Sequence, residues 1–328
     1  MKHSVLKFAI SCAFAALAAT QASAQDAAAD YPKQVIRLIV GSAPGATTDT
    51  AGRITADVLS RTLGQPVIVQ NQPGATGTIS VRNTLHAKPD GYTLLFYYAD
   101  QLQVAPYVFK DSPYDPIRDL AHVGEVVQSG GFILAVPPSS PATTFDEFVK
   151  YAKRAPKELS YGTWGVGSSA HLSFEMLNQV LGTKMVHVPY KGGGPSYMAA
   201  MAGEIDVVAG TSFVELLKTG KLRPLAISGN VRSPDFPQVP TLPEMGFSEQ
   251  LFAPVFYGVA APPGTPKPIL DKVREALKKG MYAPEVVARL KTIAVEPHVT
   301  SAEELIAKVH KAGETYRPLV QKMGLATQ

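Results

Sequence analysis

The chain has 328 residues, 45% of them hydrophobic and 18% charged, and it contains one cysteine. A chain this apolar buries enough surface to offset its conformational entropy, which excludes intrinsic disorder, and a lone cysteine excludes a disulfide-stabilised scaffold. The formal net charge is +4 and no block of like charges occurs, which disfavours nucleic acid as a partner. Because single cores stop growing at roughly 250 to 300 residues, the length predicts two domains.

The first 24 residues have the pattern of a secretory signal peptide. Lys2 and Lys7 precede an apolar stretch over 8–20, and small residues lead up to a cleavage site after Ala24. Cleavage there removes Cys12, so the mature protein has no cysteine. No later apolar run reaches the length of a membrane span. The sequence therefore predicts an exported protein, located in the periplasm of a Gram-negative cell.

Predicted strands and helices alternate along the rest of the chain. Strands are predicted at 35–40, 66–69, 92–98, 132–136, 159–164, 185–188, 205–209 and 222–227. Helices are predicted at 49–63, 79–87, from 144 onward, at 170–181, at 195–202 and through the tail from 266. Capping boxes mark two helix starts, Thr144 with Glu147 and Ser301 with Glu304. This alternation predicts parallel, doubly wound α/β sheets.

Four loops rich in glycine, serine and threonine lead from predicted strands into helices, at 42–49, 72–78, 165–171 and 191–196. Ligands of such sheets bind at the carboxyl ends of the strands. A helix amino terminus there offers unpaired N–H groups and the positive end of the helix dipole, and glycine permits close approach. Ordinary turns and caps use the same residues. Four such loops, two of which contain the tetrapeptide PGAT, favour an anion site built from the main chain.

Seven segments, taken in order, fit one known pattern. They are PGATTD at 44–49, QNQPGATG at 70–77, KPDGYTLL at 88–95, SPYDPIRDL at 112–120, GSSAH at 167–171, HVPYKGGGP at 187–195 and APPGTPKP at 261–268. Through these segments the sequence resembles the solute-binding proteins of tripartite tricarboxylate transporters, the Bordetella uptake gene family, over essentially the whole mature chain.

The resemblance implies a periplasmic-binding-protein fold in which two doubly wound α/β domains, joined by a two-crossing hinge, close on a small organic acid. Domain 1 would comprise 26–126 plus 250–328, and domain 2 would comprise 127–249. The protein would act as a monomer without cofactor or metal. It would deliver its ligand to the integral membrane subunits of a tripartite transporter.

The resemblance also implies a set of ligand-binding residues on facing loops. By motif, the first loop contributes Gly45, Thr47, Thr48 and Asp49, and the opposing domain contributes Ser168, Ser169, His171 and Tyr190. Ala43, Ala46 and Phe213 complete the predicted ligand-binding set. Asp49 has a second interpretation, as an acid stabilised by the dipole in a first helical turn. His171 is interpreted as a residue that donates a hydrogen bond to an anion or caps its helix.

Departures from the family pattern point to an aromatic ligand. Ala46 replaces a glycine, and FYYAD at 96–100 replaces the small polar residues that relatives tend to have. At most one of Tyr97 and Tyr98 faces the cleft, since strand neighbours alternate, and Tyr97 is the candidate. Trp164 precedes a glycine-rich loop and is placed to stack on a flat ligand, although either aromatic also suits a core. We expect an aromatic mono- or dicarboxylate such as a phthalate isomer, with an aliphatic di- or tricarboxylate as the alternative.

Other functional classes compete with this one. An exported serine hydrolase would use Ser168 or Ser169 with His171, but the sequence there lacks the G-x-S-x-G turn of a nucleophile elbow. The histidines show no metal-ligand spacing, and the mature chain has no cysteine. A sensor component that presents its ligand to a receptor stays open, because the sequence does not separate sensing from transport.

Overall fold

The computed structural model describes residues 30–108, 114–211, 213–248, 251 and 255–325. The predicted signal peptide, residues 1–24, lies outside the described residues. None of the helices in the described ranges combines the length and the apolar character that crossing a lipid bilayer requires.

Strands and helices alternate along the described chain. The strands are β1 (Ile36–Val40), β2 (Val67–Asn71), β3 (Thr93–Tyr98), β4 (Ala121–Ser129), β5 (Ile133–Val136), β6 (Ser160–Thr163), β7 (Val186–Pro189), β8 (Val207–Gly210), β9 (Arg223–Ile227), β10 (Phe256–Ala261) and β11 (Val295–Pro297). The helices are α1 (Thr47–Leu63), α2 (Thr78–Leu85), α3 (Ala99–Gln103), α4 (Ala105–Val108), α5 (Phe145–Arg154), α6 (Ser169–Leu181), α7 (Gly193–Ala202), α8 (Val214–Lys218), α9 (Lys267–Met281), α10 (Pro284–Lys291) and α11 (Ala302–Lys322), with short 3-10 turns at Ala75–Gly77 and Pro243–Met245.

The described strands form two sheets, which confirms the predicted two-domain α/β class. The first sheet has the order β11-β4-β10-β3-β1-β2 and the second has the order β7-β6-β8-β5-β9. Strands connected by helical crossovers are parallel, such as β1 with β2 and β6 with β7. The prediction of parallel sheets is confirmed for these strands and wrong for β10 and β5, which run antiparallel to their neighbours. Both strands follow a passage of the chain between sheets, where no helical crossover sets their direction.

The chain passes from the first sheet to the second after β4 and returns before β10. These two passages lie side by side. The Phe132 N–H donates to Ser228 Oγ over 2.7 Å, and the Ser228 N–H donates to the Phe132 carbonyl over 2.8 Å. Such pairing suits a two-crossing hinge. The domain limits at 126/127 and 249/250 stay a prediction.

The two predicted capping boxes differ in detail. Ser301 and Glu304 form the complete reciprocal box at the start of α11. At the start of α5, Thr144 accepts the Glu147 N–H over 3.2 Å as predicted, but the Glu147 carboxylate accepts the N–H and hydroxyl of Thr143 instead. Both arrangements satisfy the free N–H groups of a first helical turn.

The tail from residue 266 was predicted to be helical, and that prediction is wrong for one segment. The strand β11 separates α10 from α11 and adds an edge strand to the first sheet. Within this tail, α9 packs closely on α1. A Cβ on Gly280 would lie 2.5 Å from Val58 Cγ1, so only glycine permits this approach. The helix contact covers one face of the first sheet.

A small apolar cluster connects helices that follow strands of the two sheets. Its buried members come from the segment after β3, from α6 and from α11: Val104, Val108, Leu172, Tyr316 and Val320. The C-terminal helix α11 therefore contacts elements of both sheets, and the ends of β3 and β6 lie near each other. This proximity positions the loops described next.

Candidate functional site

The first loop (residues 42–49) leads from β1 into α1, and Asp49 holds its shape. Asp49 Oδ2 accepts the Gly45 N–H over 2.9 Å and the Arg53 Nε–H over 3.0 Å, and Oδ1 accepts from Asn71 Nδ2 over 2.7 Å. Burial opposes the charge of this carboxyl, but hydrogen bonds from Arg53, Asn71 and Gly45 outweigh it and lower the pKa of Asp49. Asp49 therefore organises the first loop through hydrogen bonds to neighbouring groups of the protein.

The amino terminus of α1 is the strongest candidate for holding an anion. Its N-cap residue, Ala46, has no side chain able to accept from the first N–H groups. The preceding Ala43 and Gly45 are exposed, Thr47 is half-buried, and Thr48 is buried. With the helix dipole, these free donors favour a carboxylate in front of the helix.

The facing loop (residues 163–171) leads from β6 into α6. Ser168 is the N-cap residue of α6, where its Oγ accepts the His171 N–H over 3.3 Å and donates to the Gly165 carbonyl over 2.8 Å. The Ser168 hydroxyl is thus used within the loop. Tyr190 is half-buried beside it, and its N–H donates to the Thr163 carbonyl over 2.9 Å.

Contacts connect the first loop to the facing loop. The Thr48 side chain hydrogen-bonds Tyr257 of β10, and Tyr257 lies within electrostatic reach of Asp100. Asp100, at the start of α3, accepts the Ser169 N–H over 3.1 Å and the Trp164 indole N–H over 3.0 Å, both on Oδ2. We call the space between the first loop, the start of α3 and the facing loop the cleft. The structure thus brings Trp164 and Ser169 together at Asp100, and Thr48 is linked to them through Tyr257.

His171 and His187 form a stacked pair behind the facing loop, with ring centroids 3.8 Å apart. His171 Nδ1 accepts the Gly167 N–H over 3.1 Å, so the proton of the neutral ring is on Nε2. Burial lowers the pKa of His171 to about 4. Burial, and after it the charge of His171, lowers the pKa of His187 to about 3. The Nδ1 contact is with Gly167 rather than with a serine hydroxyl, which does not match a nucleophile and its base.

The aromatic candidates occupy different environments. Tyr97 is fully buried, and its hydroxyl donates to the Gly124 carbonyl over 3.0 Å. Its assignment to the ligand site is therefore wrong, because this strand position faces the core and Tyr98 takes the alternate face. Trp164 is half-buried and stacks on Phe132 at 5.5 Å between ring centroids.

Phe213 also lies inside the structure, with 3% of its surface exposed, where it packs on Tyr197 at 4.5 Å between centroids. Its role in ligand binding stays a prediction. Sequence reasoning missed Asp100 as a site residue. The available signal was its place just after a predicted strand, at the carboxyl end where ligands of such sheets bind. Within the described ranges, no cluster of histidine, cysteine or acidic residues has the makings of a metal site.

Comparisons with known proteins identify the family of the chain. Residues 51–325 match the family described as "Tripartite tricarboxylate transporter family receptor". The chain is 35% identical over 326 residues to the "UPF0065 protein in gbd 5'region" of Cupriavidus necator, covering 99% of this chain and 98% of that protein.

Solved structures of similar proteins cover nearly the whole described fold. The periplasmic binding protein BugD is 30% identical with a TM-score of 0.81, covering 91% of this chain and 100% of that chain. An R. palustris protein solved with adipate is 27% identical with a TM-score of 0.83, over 91% and 100% of the two chains. MatC from Rhodopseudomonas palustris, with bound malate, is 28% identical with a TM-score of 0.79, over 88% and 100%.

These relatives are receptors and binding proteins and not enzymes, which confirms the prediction of a periplasmic binding protein over a hydrolase. The chain belongs to the tripartite tricarboxylate transporter receptor family.

Proposed function

We propose that this periplasmic protein captures a small aromatic carboxylate in the cleft and delivers it to the membrane subunits of a tripartite transporter. Closure of domain 1 (26–126 plus 250–328) on domain 2 (127–249) would enclose the ligand. The ligand-binding set consists of the first loop with Thr48, the facing loop with Ser169 and Trp164, and Tyr190.

The observation that carries this proposal is the uncapped amino terminus of α1. Its N-cap residue Ala46 leaves the first N–H groups without a side-chain acceptor, and Asp49 holds the loop in front of them. A ligand carboxylate would accept from these groups without any cationic side chain. The adipate and malate in two structural relatives are small carboxylates and support this class of ligand.

Trp164 supports the aromatic part of the proposal. It is half-buried, one ring face packs on Phe132 at an interplanar angle of 12°, and the residue borders the cleft. Its indole N–H is held by Asp100, which fixes the ring orientation. A rigid indole at this place offers an offset-stacking surface to a flat ligand, an advantage that an aliphatic acid does not share.

Isothermal titration calorimetry of the mature protein tests the proposal, using benzoate, the three phthalate isomers, adipate and malate. We expect at least one aromatic acid to bind about tenfold tighter than both aliphatic acids, which corresponds to about 1.4 kcal/mol. Binding of the aliphatic acids alone would overturn the aromatic assignment. No binding of any acid would overturn the carboxylate site itself.

A further inference from the structure

Asp100 is a buried carboxylate with half of its hydrogen-bonding capacity unused. It is 1% exposed, and Oδ2 accepts both the Trp164 indole N–H and the Ser169 N–H. Oδ1 is buried as well and has no hydrogen-bond partner within 3.5 Å among the described residues; the Ser169 hydroxyl, which is near enough to Asp100 to lower its pKa, is also buried and unpartnered. Buried carboxylate oxygens are normally paired, so an unpartnered oxygen at the cleft indicates a missing donor.

The surroundings of Asp100 supply hydroxyl groups and no counter-charge. Burial, and after it the charge of Asp100, raises the pKa of Tyr316. The same two causes are the largest ones that raise the pKa of Tyr98. Burial, then Tyr197 and Asp100, raise the pKa of Tyr257. Among the described residues, no lysine, arginine or histidine contributes to the pKa of Asp100, which burial raises against the partial opposition of the Trp164 and Ser169 donors.

The Asp100 carboxylate also occupies the place where a second ligand carboxylate would bind. The Ser169 N–H belongs to the first turn of α6, the anion-binding end of the helix, and it is already used by Asp100 Oδ2. A dicarboxylate with one end at the α1 terminus would bring its other charge against Asp100. Like charges at short distance in a buried site act against such a ligand.

We propose that Asp100 is a specificity-determining residue of the cleft, and that it selects a monocarboxylate carrying an N–H donor, amide or ammonium, over the corresponding dicarboxylate. The ligand carboxylate binds at the α1 terminus, which rests on the proposed function, and the N–H donor at the other end binds Asp100 Oδ1. The ligand then supplies the donor that this oxygen lacks.

Calorimetry with matched ligand pairs tests this selection. The aromatic set is terephthalate, its monoamide 4-carbamoylbenzoate and 4-(aminomethyl)benzoate, and the aliphatic set is adipate, adipamate and 6-aminohexanoate. We expect at least one N–H ligand to bind about tenfold tighter than the diacid of its set. The amide and amine arms show which donor is preferred.

The variant Asp100→Ser, which restores a small polar residue, should abolish or reverse that preference. Asp271→Asn, on a partly exposed carboxylate of α9, is the matched control and should keep it. Circular dichroism melting confirms that each variant folds. If Asp100→Ser fails to fold, Asp100→Asn replaces it, and we expect the diacid to gain affinity there relative to the monoamide.

The outcomes separate the two proposals. Preference in the aliphatic set alone would overturn the aromatic ligand and uphold Asp100. If benzamide or benzylamine binds and none of the acids binds, the carboxylate site is overturned and Asp100 is upheld as an acceptor. Tighter binding of the diacids in both sets, or an unchanged preference in folded Asp100→Ser, would overturn the role of Asp100. A third result would also overturn the role of Asp100: the diacid binds more tightly toward pH 5, and this binding is lost in Asp100→Asn. Asp100 would then be a protonated donor to the diacid.

Discussion

The Asp100 carboxylate reaches from the end of β3 to the start of α6, where the Ser169 N–H donates to Oδ2 over 3.1 Å. The two residues are 69 positions apart and follow strands of different sheets. The bond closes the cleft on one side with groups of the protein itself. We expect a ligand that enters the cleft on this side to lengthen or replace the contact.

Thr48→Val should weaken ligand binding without unfolding the protein. The variant keeps the side-chain shape and loses the hydroxyl beside the α1 terminus, so we expect a loss of about 1 to 2 kcal/mol in binding free energy. Calorimetry with the best-binding acid measures the loss. Thr50→Val, on the next half-buried threonine of α1, should bind normally. Equal affinity of both variants would contradict the placement of Thr48 in the site.

Asp49→Ala should destabilise the protein and weaken binding together. It removes the acceptor shared by Gly45, Arg53 and Asn71, and the cost should be about 2 kcal/mol, as for other charged hydrogen bonds. Urea denaturation measures stability, and calorimetry measures binding. Asp57→Ala on the same helix removes a partly exposed ion-pair partner and should have a small effect. A stable Asp49→Ala protein with normal affinity would show that the loop does not depend on this residue.

Gly167→Ala should disturb the packing of the facing loop against the helical segment that follows β3. Gly167 has φ +68°, and an added Cβ would lie 2.7 Å from Val108 Cγ1, in the segment that follows β3. Gly165→Ala is the matched control, since Gly165 also has a positive φ of +146° but a Cβ there would meet no atom within 4 Å. We expect a larger loss of affinity for Gly167→Ala, together with a more open shape in small-angle X-ray scattering. Identical behaviour of the two variants would mean that backbone strain alone is responsible.

The stacked histidines should make the protein sensitive to acid. Their pKa values are lowered in the folded state, to about 4 for His171 and about 3 for His187, and return toward 6.5 on unfolding. Between these values the unfolded chain binds more protons, so the free energy of unfolding falls as pH falls below about 6.5. Urea denaturation at pH 7.5, 6.0 and 5.0 measures this slope. His187→Gln should flatten it, whereas His310→Gln, on an exposed residue, should not. A pH-independent stability over this range would contradict the prediction.

Lys308→Met should destabilise the attachment of α11 to the first sheet. Lys308 Nζ lies 2.8 Å from Glu125 Oε1 and 3.0 Å from Oε2, and the Glu125 side chain is only 2% exposed. Removing the cation leaves a buried carboxylate with weaker pairing, at a cost of about 2 kcal/mol because Lys308 itself is partly exposed. Thermal melting compares this variant with Lys311→Met, on an exposed lysine of the same helix. Equal melting temperatures would show that the ion pair adds no stability.

Local features of the fold were predictable from the sequence because their signals are local. Short apolar runs located β1, β3 and β5, and Gly64, in the left-handed conformation at φ +74°, ends α1 where glycine and proline predicted. The strands β4, β10 and β11 were not predicted. Their antiparallel pairing depends on chain segments far apart in sequence, such as Val259 with Phe96, which no local period reveals.

The candidate site divides in the same way. The glycine-rich loops follow from residue type, and the structure places them at helix starts. The burial of Tyr97 and the contact of Asp100 with Ser169 do not follow from residue type. Each depends on which strand or helix lies opposite. Because side chains alternate along β3, Tyr97 faces the core and Tyr98, one residue later, faces the other side.

Trp164 gives the protein an optical readout of its own. It is the only tryptophan of the 328 residues, and its indole N–H is bonded to a residue that follows a strand of the other sheet. Separation of the facing loop from the start of α3 would break that bond and expose the ring to water, which shifts indole fluorescence to longer wavelength. Emission of the unlabelled protein should therefore follow the proposed opening and closing of the cleft in real time, and stopped-flow mixing would then resolve the rate at which a ligand is captured.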